Sequence, residues 1–323
     1  MMAKAERRRP GKMGWTVIVL IVLALAGFGI WRWAVAAGSA STLDWIDARF
    51  PRDRGITLAA SGDYGSEPAQ RSELWVPRGE PPAGGFPLVV FVHGGGWHSG
   101  APEDYRFVAR TLGNRGYATA LTGYRLVPEG RYPAMLEDTA AALRWVQERA
   151  ALADVDAGRM VLTGHSAGAY NVLMMGLEPR WLEAAGVPPD SVAGVVSMAG
   201  PADFFPFDKE SSINAFGHVA DGATTQPVAF AAGDAPPLLL MHGSADDVVR
   251  PYNSRNLNQA IAAAGGDAET VEYDGMSHAG LVMGLSRPFA QGDKVLDPFL
   301  AFVERVTRHG NRQASVPVQR ESR

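Results

Sequence analysis

Residues 164–168 read Gly-His-Ser-Ala-Gly, and the segments on either side give this stretch its meaning. The preceding run, RMVLT at 159–163, is mostly apolar and predicts a buried strand, and AYNVLMMGL at 169–177 predicts a helix. A nucleophile elbow has this order of a strand, a G-x-S-x-G turn and a helix. Its tight turn requires residues with very small side chains on both sides of the serine. The pattern predicts an α/β sheet with Ser166 as a nucleophile at its edge, in preference to a serine that only caps a helix.

A second glycine-rich stretch lies upstream and follows another predicted strand. The apolar run FPLVVFV at 86–92 leads into His93-Gly94-Gly95-Gly96-Trp97. Three consecutive glycines allow backbone N–H groups to converge on one point, where they would stabilise a developing oxyanion. The alternative is a plain glycine turn at the end of a strand. The elbow downstream favours the oxyanion interpretation.

A serine nucleophile of this type needs a histidine base and an acid, which follow it in the chain in the order acid, histidine. His278 lies in a small-residue loop, DGMSHAG at 274–280, after the predicted strand 269–273. Such loops carry the active sites of open α/β sheets. The acid is expected on the loop HGSADDVV at 242–249, where the residues alone leave Asp246 and Asp247 open. His242 is interpreted as a turn residue packed under this loop, and His218 as a weaker candidate for the base.

These motifs resemble those of α/β-hydrolases of the hormone-sensitive-lipase-like and related carboxylesterase group. The resemblance rests on HGGGW at 93–97, YRLVPE at 124–129, PAMLED at 133–138, GHSAG at 164–168, HGSADDVV at 242–249 and GMSH at 275–278. It covers about residues 70–305. It implies Asp246 as the acid and Gly95, Gly96 and Ala167 as oxyanion donors, with Gly94 as an alternative donor.

The sequence departs from that pattern in two places. Arg250 stands where relatives often carry proline, and the region 200–237 is rich in proline and glycine with no long helical lid. The chain is in this respect more similar to the small, open feruloyl-esterase-like, acetyl-esterase-like and kynurenine-formamidase-like members. Trp97, Phe204 and Phe205 are predicted to line the substrate site, and aromatic crowding there favours short acyl groups.

The predicted reaction is hydrolysis of carboxylic esters through an acyl-enzyme formed on Ser166. His278 would accept the serine proton, and Asp246 would hold the imidazole in the required tautomer. An amidase, formamidase or peptidase using the same residues is the first alternative, because fold alone does not separate these reactions. A non-catalytic binding protein with this fold is the second alternative. The expected partner is a small ester, and the oligomeric state is not readable from the sequence.

Composition excludes several other functional classes. The chain has 323 residues, 46% of them hydrophobic, which is enough for one large α/β domain. A net charge of −4 gives no sign of a nucleic-acid partner, and the absence of cysteine excludes disulfides and thiolate metal sites. No histidine pair has metal-ligand spacing, and no dinucleotide or phosphate-loop motif is present. Neither a metal nor a cofactor is therefore predicted.

The amino terminus predicts a membrane anchor. Residues 1–12 form a basic segment, and 13–30, MGWTVIVLIVLALAGFGI, carry no charge. Eighteen helical residues span about 27 Å, close to the hydrocarbon thickness. We therefore predict a transmembrane helix or uncleaved signal anchor over 13–33, with the basic segment cytoplasmic and the catalytic domain on the periplasmic or extracellular side. The alternative is a cleaved signal peptide, with a cleavage region at 34–40 and a secreted product.

The remaining organisation follows from the alternation of apolar runs. We predict a linker over 34–70 with a short helix near 43–47, a catalytic domain over 71–308 and a disordered polar tail over 309–323. Within the domain, 71–77 is predicted as an edge strand, 137–146 as a helix, 192–198 as a strand and 296–303 as the closing helix. Alternating strands and helices predict the α/β-hydrolase fold, a mostly parallel central sheet covered by helices on both faces.

Overall fold

The fold was analysed in a computed structural model of the chain, which describes residues 16–23, 27, 40–51, 55–290 and 292–313, the last five without their side chains. The predicted basic segment 1–12, the predicted cleavage region up to residue 39 and residues 314–323 of the predicted tail lie outside these ranges. The predicted span 13–33 lies inside them only at 16–23 and 27, which are helical. Within the described residues, no helix combines the length and apolar character needed to cross a bilayer.

The described residues form one eight-stranded sheet with the strand order β1-β2-β4-β3-β5-β6-β7-β8. β1 pairs antiparallel with β2, and β2 antiparallel with β4, whereas all other neighbours are parallel. The strands are β1 Ile56–Asp63, β2 Arg71–Pro77, β3 Phe86–Val92, β4 Ala118–Thr122, β5 Val155–His165, β6 Val192–Met198, β7 Leu238–Gly243 and β8 Ala268–Tyr273.

Helices cover both faces of this sheet, as predicted. Their bounds are α1 Ala40–Asp47, α2 Arg106–Asn114, α3 Ala134–Ala150, α4 Ala167–Leu177, α5 Arg180–Ala184, α6 Glu210–Phe216, α7 Tyr252–Ala263, α8 His278–Met283 and α9 Leu296–Gln313. Short 3₁₀ turns connect several of them, including Pro102–Tyr105 and Arg287–Phe289.

The central strands explain why both faces need a cover. Leu88, Val90 and Val92 of β3 belong to one apolar cluster, with α3, α4 and α7. Val89 and Phe91 belong to the other, with α1, α2, α8 and α9. Successive side chains of a strand point to opposite faces, so a continuous apolar run requires packing on both sides. The parallel strands place the loops after β3, β5, β6, β7 and β8 at the carboxyl-terminal end of the sheet, where the candidate residues meet.

Two sequence-based boundaries differ from the structure. The predicted linker 34–70 contains β1, and β1 rather than β2 is therefore the edge strand on this side of the sheet. Most side chains of β1 are exposed, so it lacks the apolar run that indicated the other strands. The short helix near 43–47 is present as α1. The closing helix α9 continues to Gln313, five residues into the segment expected to be a disordered tail.

Candidate active site

Ser166 lies at the sharp turn between β5 and α4. Its backbone has φ 55° and ψ −121°, a strained conformation for a residue with a side chain, and its N–H donates to the Met198 carbonyl over 2.9 Å. A Cβ at Gly164 would lie 2.4 Å from the Gly168 carbonyl carbon, and one at Gly168 would lie 2.1 Å from the Val92 oxygen. Both glycines are therefore needed for the turn to close.

His278 is the first residue of α8, and its ring reaches the loop after β7. Its Nδ1 lies 2.7 Å from Asp246 Oδ2. Because an ionised carboxylate only accepts, Nδ1 carries the proton, which leaves Nε2 of the neutral ring as a proton acceptor. His278 and Ser166 line the same cavity. The His278 side chain is only 14% exposed, so bulk water has little access to it.

Asp246 is held by several donors in a buried position. Its Oδ1 accepts from the N–H groups of Val248 and Val249, each at 2.9 Å, and His242 Nε2 lies 3.4 Å from Oδ2. Burial alone would raise the pKa of Asp246, but hydrogen bonds from His242 and His278 outweigh it, so the pKa lies well below its usual range. Asp247 is exposed. Asp246 and not Asp247 is thus the aspartate in contact with His278.

His242 does more than pack under the loop, which was its sequence-based interpretation. Its Nε2 donates to the Val249 carbonyl over 2.8 Å, and its Nδ1 accepts from the Ser254 hydroxyl over 2.8 Å. The ring is fully buried against the loop that carries Asp246. His242 therefore fixes the shape of this loop as well as contributing to the environment of the carboxylate.

Two further histidines are buried beside Ser166. His165 Nε2 donates to the His278 carbonyl over 3.0 Å, which connects the elbow to the start of α8. His93 Nδ1 donates to the Gly94 carbonyl over 2.8 Å. Burial lowers the pKa of His165 to about 3, and burial lowers the pKa of His93 to about 4. Both rings are neutral at physiological pH and act as fixed hydrogen-bond donors.

The glycine loop after β3 lies directly against the elbow. A Cβ at Gly94 would lie 2.8 Å from the His165 carbonyl oxygen and 3.3 Å from Ser166 Cβ. Gly95 and Gly96 have φ of 120° and 61°, in the region that glycine tolerates best. Gly95, Gly96 and Ala167 all line the cavity with Ser166, and no described residue accepts a hydrogen bond from their N–H groups. These donors are available to an oxyanion.

The stretch after β4 supports the glycine loop and accounts for the YRL motif. The Tyr124 hydroxyl donates to the His93 carbonyl over 3.2 Å, and the two rings stack with centroids 4.6 Å apart. The Val127 N–H donates to the Trp97 carbonyl over 2.9 Å. Arg125 forms a bidentate ion pair with the buried Asp138, which anchors this stretch to α3. The loop is therefore held from behind by fixed groups.

A cavity of about 660 Å³ opens in front of Ser166. Trp97 and Phe204 line it, as predicted from the sequence, and their rings stack with centroids 6.2 Å apart. Phe205 does not line it: its side chain is 45% exposed and packs edge-on against Phe207. Of these two adjacent phenylalanines, only Phe204 therefore faces the cavity.

One part of the cavity wall was not predicted from the sequence. Leu43 and Ile46 of α1 line the cavity, although this region was assigned to a linker. Val282 and Met283 of α8 also line it. A short helix was predicted near 43–47, but a sequence of this length does not show which surface the helix covers.

Within the described part of the chain, no group of three or more histidine, cysteine, aspartate or glutamate side chains is arranged to hold a metal ion. The polar groups near Ser166 include His278, which contacts Asp246, and the backbone N–H groups of the glycine loop. The fold, the strained serine and the glycine loop together define an α/β-hydrolase.

Comparison with known proteins narrows this class. The BD-FAE family model matches residues 74–261, more than half of the chain, so the chain belongs to the BD-FAE family. Isoprenylcysteine alpha-carbonyl methylesterase ICME of Arabidopsis thaliana is 26% identical over 285 residues, which cover 80% of this chain and 65% of that protein. Carboxylesterase NlhH of Mycobacterium tuberculosis H37Rv is 45% identical over 84 residues, 26% of each chain.

Solved structures agree on the fold. Esterase B from Lactobacillus rhamnosis has a TM-score of 0.72 at 22% identity, covering 91% of this chain and all of that one. A truncated carbohydrate esterase from gut microbiota has a TM-score of 0.64 at 21% identity. The chain spans less than two thirds of the length of the curated relatives named above. The curated relatives are named as esterases, and the solved structures share the α/β fold.

Proposed function

We propose that this protein hydrolyses carboxylic esters through an acyl-enzyme on Ser166, with His278 as general base and Asp246 as its orienting acid. The observation that carries the proposal is the 2.7 Å contact between His278 Nδ1 and Asp246 Oδ2, in a histidine that shares one cavity with the strained serine. A serine hydroxyl is a weak nucleophile until a neighbouring base takes its proton.

The proposed reaction has two halves. Ser166 Oγ attacks the ester carbonyl carbon while its proton moves to His278 Nε2, and the oxyanion is bound by N–H groups of Gly95, Gly96 and Ala167. His278 then gives the proton to the departing alcohol oxygen, and the C–O bond breaks. In the second half, water attacks the acyl carbon while its proton moves to His278 Nε2. That proton then passes to Ser166 Oγ as the acyl C–O bond breaks and the acid leaves. Asp246 stabilises the imidazolium in both halves and keeps its own charge.

A matched pair of substrates tests ester against amide hydrolysis. p-Nitrophenyl acetate and p-nitroacetanilide share the acetyl group and differ in the bond cleaved. We expect turnover of the ester and little turnover of the anilide. Preferential cleavage of the anilide would support the amidase alternative, and no turnover of either compound would support a non-catalytic binding protein.

We further propose a preference for short acyl groups. Trp97 and Phe204 face the cavity and pack against Tyr170 and Phe216, which are both fully buried. Because the interior behind them is closely packed, these two side chains cannot move away from the cavity. A long acyl chain that had to displace these side chains would cost roughly 1–3 kcal/mol, which lowers kcat/KM about 5- to 150-fold. p-Nitrophenyl acetate and butyrate should therefore have higher kcat/KM than the palmitate ester. A kcat/KM that rises steadily from acetate to palmitate would contradict this.

We also propose that residues 13–33 anchor the protein in a membrane, with the catalytic domain outside the cytoplasm. Support comes from the uncharged sequence at 13–30 and from residues 17–23, where helical apolar side chains are 42–62% exposed. The full-length protein should stay in the membrane pellet after a carbonate wash and keep its original amino terminus. A mature chain starting near 38–41 would show a cleaved signal, and a catalytic domain protected from protease in intact spheroplasts would overturn the orientation.

A further inference from the structure

The cavity in front of Ser166 has two walls of different chemistry. Trp97 and Phe204 form an aromatic wall, accompanied by polar side chains such as Ser211 and Lys209. The second wall is mainly aliphatic, and its side chains come from α1, α8 and the turn Arg287–Phe289. We call this the alkyl wall; it consists of Leu43, Ile46, Val282, Met283 and Phe289.

The two walls belong to different apolar clusters of the fold. Trp97 is part of the cluster that packs on one face of the sheet, with Phe204 against it. Leu43 and Val282 are part of the cluster on the other face, with Met283 and Phe289 packed against it. Ser166 stands at the edge of the sheet between these clusters. A bound ester can therefore place one substituent against each wall.

A buried carboxylate fixes the alkyl wall in place. Asp47, the last residue of α1, is fully buried, and its Oδ1 accepts from Arg110 Nε over 2.9 Å. Its Oδ2 accepts from the Ser286 hydroxyl over 3.1 Å and from the Arg287 N–H over 2.9 Å. Asp47 thus joins α1 to the segment after α8, the two contributors to the wall. The alkyl wall is preformed and needs no ligand to assemble it.

The chemistry of the proposed function decides which substituent lies there. His278 must protonate the leaving alcohol oxygen, so the alcohol part of the ester lies on the His278 side of the carbonyl carbon. Val282 and Met283 lie on α8, the helix that His278 begins, and Ala279 of the same helix also lines the cavity. The alkyl wall is consequently next to the leaving group, and the aromatic wall is left for the acyl group.

From this arrangement we infer that the protein's preferred substrates are short-chain acyl esters of apolar alcohols, whose alkyl group packs on α1 and α8. This inference rests on the proposed ester hydrolysis at Ser166. It is consistent with the size of the cavity, because an acetyl or butyryl group fills only a small part of about 660 Å³. Ile46 and Leu43 would then be specificity-determining residues.

A pair of isomeric esters tests the inference. Octyl acetate and ethyl octanoate have the same atoms and the same hydrophobicity, and differ only in whether the long chain lies on the alcohol or the acyl side. Each methylene buried from water contributes roughly fourfold to kcat/KM. We expect octyl acetate to exceed ethyl octanoate by at least about tenfold in kcat/KM. Equal rates, or a faster reaction with ethyl octanoate, would overturn the inference while leaving ester hydrolysis intact.

Variants of α1 locate the effect in the structure. Ile46→Trp, which fills the space beside the wall, and Ile46→Ser, which removes its apolar surface, should each lower the ratio of kcat/KM for octyl acetate to that for ethyl acetate by about tenfold. The matched control is Trp45→Ala, a neighbour on α1 that is 61% exposed and does not line the cavity. It should keep the wild-type ratio.

These experiments distinguish failure of the alkyl-wall assignment from failure of the proposed ester hydrolysis. If both Ile46 variants keep the wild-type ratio, or if they change the ratio of ethyl octanoate to ethyl acetate instead, the assignment of the alkyl wall to the alcohol is wrong. If the wild-type protein hydrolyses none of these esters or p-nitrophenyl acetate, the proposed function itself fails. Thermal unfolding of each variant shows that a changed ratio comes from a folded protein.

Discussion

Replacing Ser166 with alanine is expected to lower kcat for p-nitrophenyl acetate by at least roughly 10⁴-fold. The substitution removes the only atom that can form the acyl-enzyme in the proposed mechanism. What remains is an oxyanion site and a histidine that can at best activate water. Alanine is smaller than serine, and the Ser166 backbone contact to Met198 does not involve the hydroxyl, so the fold should be retained. The measurement is steady-state turnover together with a thermal unfolding curve.

The control for this variant is Ser277→Ala. Ser277 directly precedes His278 but is exposed and does not line the cavity. It should keep turnover within about twofold of the wild type, as surface substitutions usually do. A folded Ser166→Ala protein with near wild-type turnover would refute the proposed nucleophile.

Asp246→Asn should lower kcat by roughly 10³- to 10⁴-fold. An asparagine amide would present an N–H donor to His278 Nδ1, which would then have to accept. The ring would carry its proton on Nε2, facing Ser166, and could no longer take the serine proton. The Val248 and Val249 N–H groups can still donate to the amide oxygen, so the loop keeps part of its support.

Asp247→Asn is the matched control, because it makes the same chemical change one residue away. Asp247 is exposed, and Asp246 is the residue that contacts His278. We expect less than about a threefold change in kcat for Asp247→Asn. If Asp247→Asn were the severe variant and Asp246→Asn the mild one, the assignment of the acid would be wrong. Kinetics of both variants at neutral pH decide the question.

Much of the fold could be predicted because its central strands are buried on both faces. The runs at 86–92 and 192–198 are almost continuously apolar, and the structure has strands over the same residues. β1 could not be predicted in this way, since most of its side chains are exposed and its place is set by pairing with β2. The extent of α9 beyond residue 303 was missed because its later residues are mostly polar, with the buried Val306 alone continuing the apolar stripe among those whose side chains are described.

The candidate site was predictable to the extent that its residues lie next to turns with a fixed geometry. Ser166 and the glycines at 94–96 follow strands directly, and the sheet brings the ends of those strands together. The choice of Asp246 over Asp247 came from family resemblance, and the contact with His278 agrees with it. Phe205 was misplaced because the sequence does not reveal which of two adjacent aromatic residues faces inward.

The alkyl wall could not be predicted from local pattern. Leu43 and Ile46 are separated from Val282 and Met283 by more than two hundred residues, and a buried Asp47 contact holds the two segments together. A short amphipathic helix after a long apolar segment gives no indication of where it docks. Only the three-dimensional arrangement shows that α1 contributes to the cavity.

Ser166 is the residue that becomes acylated in the proposed mechanism, and covalent trapping can identify that residue without a substrate. The protein is incubated with a fluorophosphonate, which reacts with activated serines, and the modified residue is located by peptide mass spectrometry. We expect stoichiometric modification of Ser166 with loss of ester hydrolysis, and no modification of the Ser166→Ala protein. Stoichiometric labelling of a different residue, or an active protein that the reagent leaves unmodified, would contradict it.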